Sequence, residues 1–86
     1  MQNSQNQDEP QHPKSGIFAE YMRKIQASFM DQGFDPDDAA SIARQAAKLR
    51  QDRKRRGLNP WAAPFIGIRF APDGQPVVHL MGEGIV

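Results

Sequence analysis

The chain contains no cysteine, which excludes a disulfide framework, a thiolate metal site and a cysteine nucleophile. It has two histidines, His12 and His79, which stand far apart with no metal-ligand spacing around either. No stretch approaches the roughly 18 apolar residues of a transmembrane helix, so no membrane partner is expected. The first residues lack a basic segment followed by an apolar one, so a secretory signal is not expected and a cytosolic location is. Phosphate-binding loops, nucleophile elbows and zinc-finger spacings are missing as well. No cofactor and no metal are implied. With 86 residues there is room for one domain, and so short a chain can hardly both fold and build a sheltered active site. A non-enzymatic role is expected.

Net charge is also scarce, at +1, so a whole-molecule field that would steer a polyanion is absent. The balance hides an asymmetry. Between Arg44 and Arg56 stand seven cations (Arg44, Lys48, Arg50, Arg53, Lys54, Arg55, Arg56) and one acid, Asp52. The rest of the chain holds the other four basic residues and nine acidic ones.

Residues 1–16 carry one apolar side chain, Met1, among Gln, Asn, Ser, Pro and Gly. Such a segment cannot bury enough apolar surface to offset about 1–2 kcal/mol of backbone entropy per ordered residue, and a disordered tail is expected. Over 17–32, Ile17, Phe18, Tyr21, Met22, Ile25 and Phe29 recur at three- and four-residue steps, which predicts an amphipathic helix. Gly33 suits a left-handed helix stop, with Phe34 placed to contact Phe29 or Met30. Asp35 then reads as an N-cap, Pro36 as a first helical residue, and Asp37 and Asp38 as acids on the positive end of the helix dipole.

That second helix is predicted over 36–56. Ala39, Ile42, Ala46 and Leu49 follow helical spacing, flanked by small alanines that permit close approach to the first helix in an antiparallel hairpin. The same stripe would serve between two copies, so a homodimer stays open. Past Leu49 the residues are polar on every side, so the helix end is expected to project beyond the apolar body until Gly57. A connector over 57–64 holds the sole tryptophan. Residues 65–82 read as a β-hairpin about Ala71-Pro72-Asp73-Gly74-Gln75-Pro76, with Ile66, Ile68 and Phe70 on one face. The fold class is thus α+β: 17–86 form a single small domain of a helical hairpin followed by a two-stranded β-hairpin. Ile85 and Val86 add to its core or fray. A lone hairpin is marginal in water and needs a helix layer or a partner, and its strands would have open edges.

Met30 and Gly33-Phe34 ahead of an alanine-rich helix resemble ubiquitin-associated domains over five residues. Those are three-helix bundles, and here a hairpin stands where the third helix would be, so no function is carried over. A winged helix-turn-helix is disfavoured on charge. Its recognition helix would open on Asp37 and Asp38, next to Asp35, and carboxylates repel a phosphate backbone. Helix capping accounts for those acids, because the alternating ligands of a calcium loop are missing.

The basic helix end is the candidate binding site: Arg44, Lys48, Arg50, Arg53, Lys54, Arg55 and Arg56, joined by Trp61 if that ring is exposed. The expected role is a small regulatory or accessory protein that engages a larger protein or complex with an acidic surface. The alternative is nucleic-acid binding through the same cations on phosphates, with Trp61 available for stacking. A third reading makes the run a solvated helix end matched to the dipole.

Overall fold

A computed structural model describes residues 16–84. It contains helices α1 (Ile17–Asp31) and α2 (Pro36–Arg55), then strands β1 (Phe65–Phe70) and β2 (Pro76–Met81). The α+β class holds. The expected tail lies outside the described residues apart from Gly16, as do Ile85 and Val86.

Each junction has a local cause. The α1 stop is a Schellman close. Gly33 sits at φ +100°, its N–H donates to Met30 O at 3.0 Å, and Phe34 N–H donates to Phe29 O at 3.0 Å. The Phe34 ring meets the Phe29 ring edge-on at 5.1 Å, the apolar contact that accompanies this motif. α2 closes the same way: Gly57 N–H reaches Lys54 O at 3.0 Å and Leu58 N–H reaches Arg53 O at 2.9 Å. At the start of α2 the structure corrects one expectation. Asp35 occupies the N-cap position with extended backbone, but its side chain makes no capping hydrogen bond. The acids of the first turn, Asp37 and Asp38, act through the dipole alone.

The two strands pair antiparallel, with Phe65 opposite Met81 and Phe70 opposite Pro76. Their turn closes through Gly74 N–H to Ala71 O at 2.8 Å and Ala71 N–H to Gln75 O at 2.9 Å. The Asp73 carboxylate accepts from Gln75 N–H at 3.0 Å, an Asx-type turn.

The core lies between α2 and the sheet. Ile42, Ala46 and Val78 are buried, with Tyr21, Ile25, Phe29, Phe34, Leu49, Ile66 and Ile68 packed against them. Ala39 and Ala43 are fully buried too, and their small side chains let α1 approach. No α1 residue is itself fully buried, so α1 is a half-exposed cover over α2. β2 is the strand that lies against α2, and a side chain fixes the contact. Gln45 Nε2 donates to Pro76 O at 2.9 Å, and Gln45 Oε1 accepts from Val78 N–H at 3.0 Å. One side-chain amide thus stands in for a third strand along the outer edge of β2.

Candidate partner-binding surface

The helical phase of α2 sorts its cations. At about 100° per residue, the buried positions Ala39, Ala43 and Ala46 are continued at steps of four and three by Arg50 and Arg53. Both arginines turn inward. Arg50 is 2% exposed. Its Nη1 donates to Pro60 O at 2.8 Å and to Ala63 O at 2.9 Å. Its guanidinium lies 5.0 Å from the Tyr21 ring centre and 5.1 Å from that of Trp61. Carbonyl dipoles and two π faces therefore compensate this buried charge, and no carboxylate among the described residues does. The compensation is incomplete, since the buried Nε has no partner.

Arg53 sits one turn further on. Its Nε donates to Asn59 O at 3.0 Å, and its two terminal nitrogens grip the Glu83 carboxylate at 3.2 and 3.0 Å. This two-pronged hydrogen bond, reinforced by the charge attraction, holds the Glu83 carboxyl below its ordinary range and raises Arg53 further. Asn59 is fixed in turn, accepting from Trp61 N–H at 2.8 Å. Arg50 and Arg53 thus pin the connector of residues 57–64 onto the end of α2. The expectation that both belong to a projecting, freely accessible helix end is corrected: their phase places them on the inner face, where unpaired carbonyls of the connector await donors.

Trp61 is intermediate between the two readings of it. At 38% exposed, it stacks on Phe18 at 5.8 Å and meets Tyr21 edge-on at 5.2 Å, forming the outer wall of the Arg50 site. Its ring is occupied with Arg50 on the inside and open on the rim.

Arg44, Lys48, Lys54, Arg55 and Arg56 are exposed. Arg44, Lys48 and Arg55 fall within roughly 40° of one another around the helix, and the row runs about 16 Å along it. Arg55 shares its charge with Asp52, and Lys54 Nζ lies 5.9 Å from the Phe18 ring centre. Arg44, Lys48 and Arg56 have no acidic partner among the described residues. The opposite end of the same helix is acidic, with Asp35 and Asp37 exposed. α2 is accordingly a rod with negative charge at its start and positive charge at its end.

Among the described residues, no group of three or more His, Cys, Asp or Glu side chains gathers to hold a metal ion, and no helix is long and apolar enough to cross a membrane. His79 is exposed on the outer face of the sheet, where its ring and the Met81 sulfur occupy the space over Gly67. Compared with protein-family models, curated proteins and solved structures, the chain matches none. The class that fold and surface define is therefore a small two-helix, β-hairpin α+β domain with a cationic helix face.

Proposed function

We propose that this protein is a non-enzymatic accessory module that docks the solvent face of α2 onto a bounded acidic surface of a larger protein. The observation that carries the reading is the row Arg44–Lys48–Arg55, exposed on the side of α2 opposite the core, with the exposed Lys54 and Arg56 flanking its end. Arg50 and Arg53 contribute indirectly, by holding the helix end rigid so that the row is pre-organised and little side-chain order is lost on docking.

The charge pattern along the rod favours a protein over a nucleic acid. A continuous polyanion would be attracted to the Arg44–Arg56 end and repelled by Asp35 and Asp37. A protein surface with an acidic patch of limited length meets only the first. Charges of this kind set orientation and association rate.

A photo-crosslinking amino acid at position 48, compared with one at Lys24 on α1, tests the reading in the cells of origin. The expected result is a discrete protein adduct at 48 alone, lost when Arg44, Lys48 and Arg55 surroundings are inverted by the pair Arg44→Glu and Arg55→Glu. Identical adducts from both positions would refute it. Binding of a 20-base-pair duplex or an RNA hairpin at about 50 mM salt, with log affinity falling steeply against log salt, would reassign the same face to phosphates.

A further inference from the structure

The two edges of the hairpin are unequal. On β2, the Val78 N–H and the Pro76 C=O are taken by Gln45, so even-numbered positions of that strand turn their backbone groups away from β1. The register pairs 78 with 68 and 80 with 66, and the 71–75 closure bonds an odd-numbered pair. By alternation, Ile66, Ile68 and Phe70 therefore direct their N–H and C=O groups off the free side of β1. Among the described residues the sheet has two strands, and on that side of β1 no neighbouring strand is found among them.

We propose that a second copy of this chain occupies the β1 edge, forming a two-fold dimer with a continuous four-stranded sheet of order β2–β1–β1–β2. This surface is distinct from the cationic face of α2, and neither proposal depends on the other. Three features point to self-pairing. An antiparallel register centred on Ile68 sets Ile68 against Ile68 of the second copy and Ile66 against its Phe70, using all three outward-facing residues of each strand. Pro64 and Pro72 fall opposite each other at both ends of that register, and lacking N–H groups they end the ladder there.

Charge is the second feature. The only charged residue of β1 is Arg69. In this register it faces Gly67 of the second copy, which has no side chain, and it lies diagonal to the exposed Phe65, within reach of a cation–π contact. The third is apolar surface. Phe65, next to its cross-strand partner Met81, is 57% exposed on one face of the sheet, and Phe70 is 53% exposed on the other, so the free-edge strand carries an exposed ring on each face. Because Gln45 occupies the Pro76 and Val78 positions of the β2 edge, and α2 lies against that strand, the β1 edge is the more open of the two, which favours closure at two copies over growth into a fibre.

Sedimentation equilibrium of the full chain tests the proposal together with isotope-filtered NMR on a mixture of labelled and unlabelled protein. The expected species has twice the 9.7 kDa mass of the chain, with an intermolecular Hα–Hα contact between Gly67 and Arg69, the non-hydrogen-bonded pair of this register. Phe70→Pro removes an N–H that faces away from β2, so each monomer keeps its ladder and gives up the stack on Phe34, while the dimer loses two hydrogen bonds and two rings. The dimer Kd should rise about tenfold or more, each factor of ten being about 1.4 kcal/mol. A chain still monomeric at about 1 mM overturns the proposal, as does a dimer whose intermolecular contacts come from another surface. So does a folded Phe70→Pro that dimerises like the wild type. Should that variant not fold, the wild-type contact between Gly67 and Arg69 decides alone.

Discussion

Replacing Arg50 with alanine should destabilise the domain more than any other single change among the α2 cations. The side chain is buried, and its Nη1 satisfies two carbonyls, Pro60 O and Ala63 O. Hydrogen bonds from a charged donor contribute about 1.5–3 kcal/mol each, and leaving a buried acceptor unmade costs about 1–3. The Tyr21 and Trp61 contacts add about 0.5–2 kcal/mol for a desolvated cation over rings. Against these stand the cost of burying a guanidinium without a carboxylate and of leaving Nε unpaired. Because these terms are not additive, the net expected loss is about 2–4 kcal/mol. A core of this size supplies roughly 3–5 kcal/mol, so Arg50→Ala should stand at the edge of unfolding. Urea titration followed by Trp61 fluorescence reads this directly, because the sole tryptophan is itself a wall of the site. Arg50→Met keeps much of the volume against the rings but donates nothing, and should recover part of the loss. The exposed control Arg44→Ala should shift stability by no more than about 0.5 kcal/mol. If Arg50→Ala matches Arg44→Ala within that margin, the argument that α2 is fastened to the connector through Arg50 is wrong.

Three further outcomes are expected. Glu83 has a folded pKa below its unfolded one, first through its hydrogen bonds to Arg53 and then through charge attraction. Its contribution is therefore full above the ordinary glutamate range and lost as pH falls through the lowered value. Urea midpoints of the wild type and Glu83→Gln should differ at pH 7 and draw together as the pH is lowered progressively below the ordinary glutamate range. Gly33→Ala should cost about 1 kcal/mol by equilibrium unfolding, because φ +100° strains an L side chain although the space around it is empty. Gln45→Ala should lose about 1–2 kcal/mol by leaving Val78 N–H unpaired. It should also raise the scattering mass at high concentration, since both edges of the sheet would then be free; an unchanged mass would count against the blocking role of Gln45.

The helix and turn boundaries were legible because single residues enforce them. Gly33 and Gly57 supply the left-handed stops, Pro36 the helix start, and Pro72-Asp73-Gly74 the hairpin turn. The expected ends at 32 and 56 fall one residue past those observed, at the cap positions. The alternation of β1 was legible: Ile66 and Ile68 pack on the core, and Phe70 follows on the same face, stacking on Phe34 at 6.5 Å while staying half exposed. What the residue types concealed was the inward turn of Arg50 and Arg53. Their phase was visible, continuing Ala43 and Ala46 at regular steps, but their charge argued for solvent. The deciding partners, carbonyls at positions 59, 60 and 63, belong to backbone whose path no side-chain pattern records. The solvent-side cations Arg44, Lys48 and Arg55 were legible because nothing apolar shares their face.

One consequence of the Arg50 site concerns how the molecule comes apart. Its guanidinium is shared by Tyr21 near the beginning of the domain, by α2 itself, and by Pro60, Trp61 and Ala63 beyond it. Three stretches remote in sequence converge on one planar group, so releasing any of them deprives the other two of their common anchor. The domain should accordingly melt as a single cooperative unit, and amide protons of α1, of the end of α2 and of the connector should become labile together. A fragment cut between α2 and the connector would inherit half a clasp.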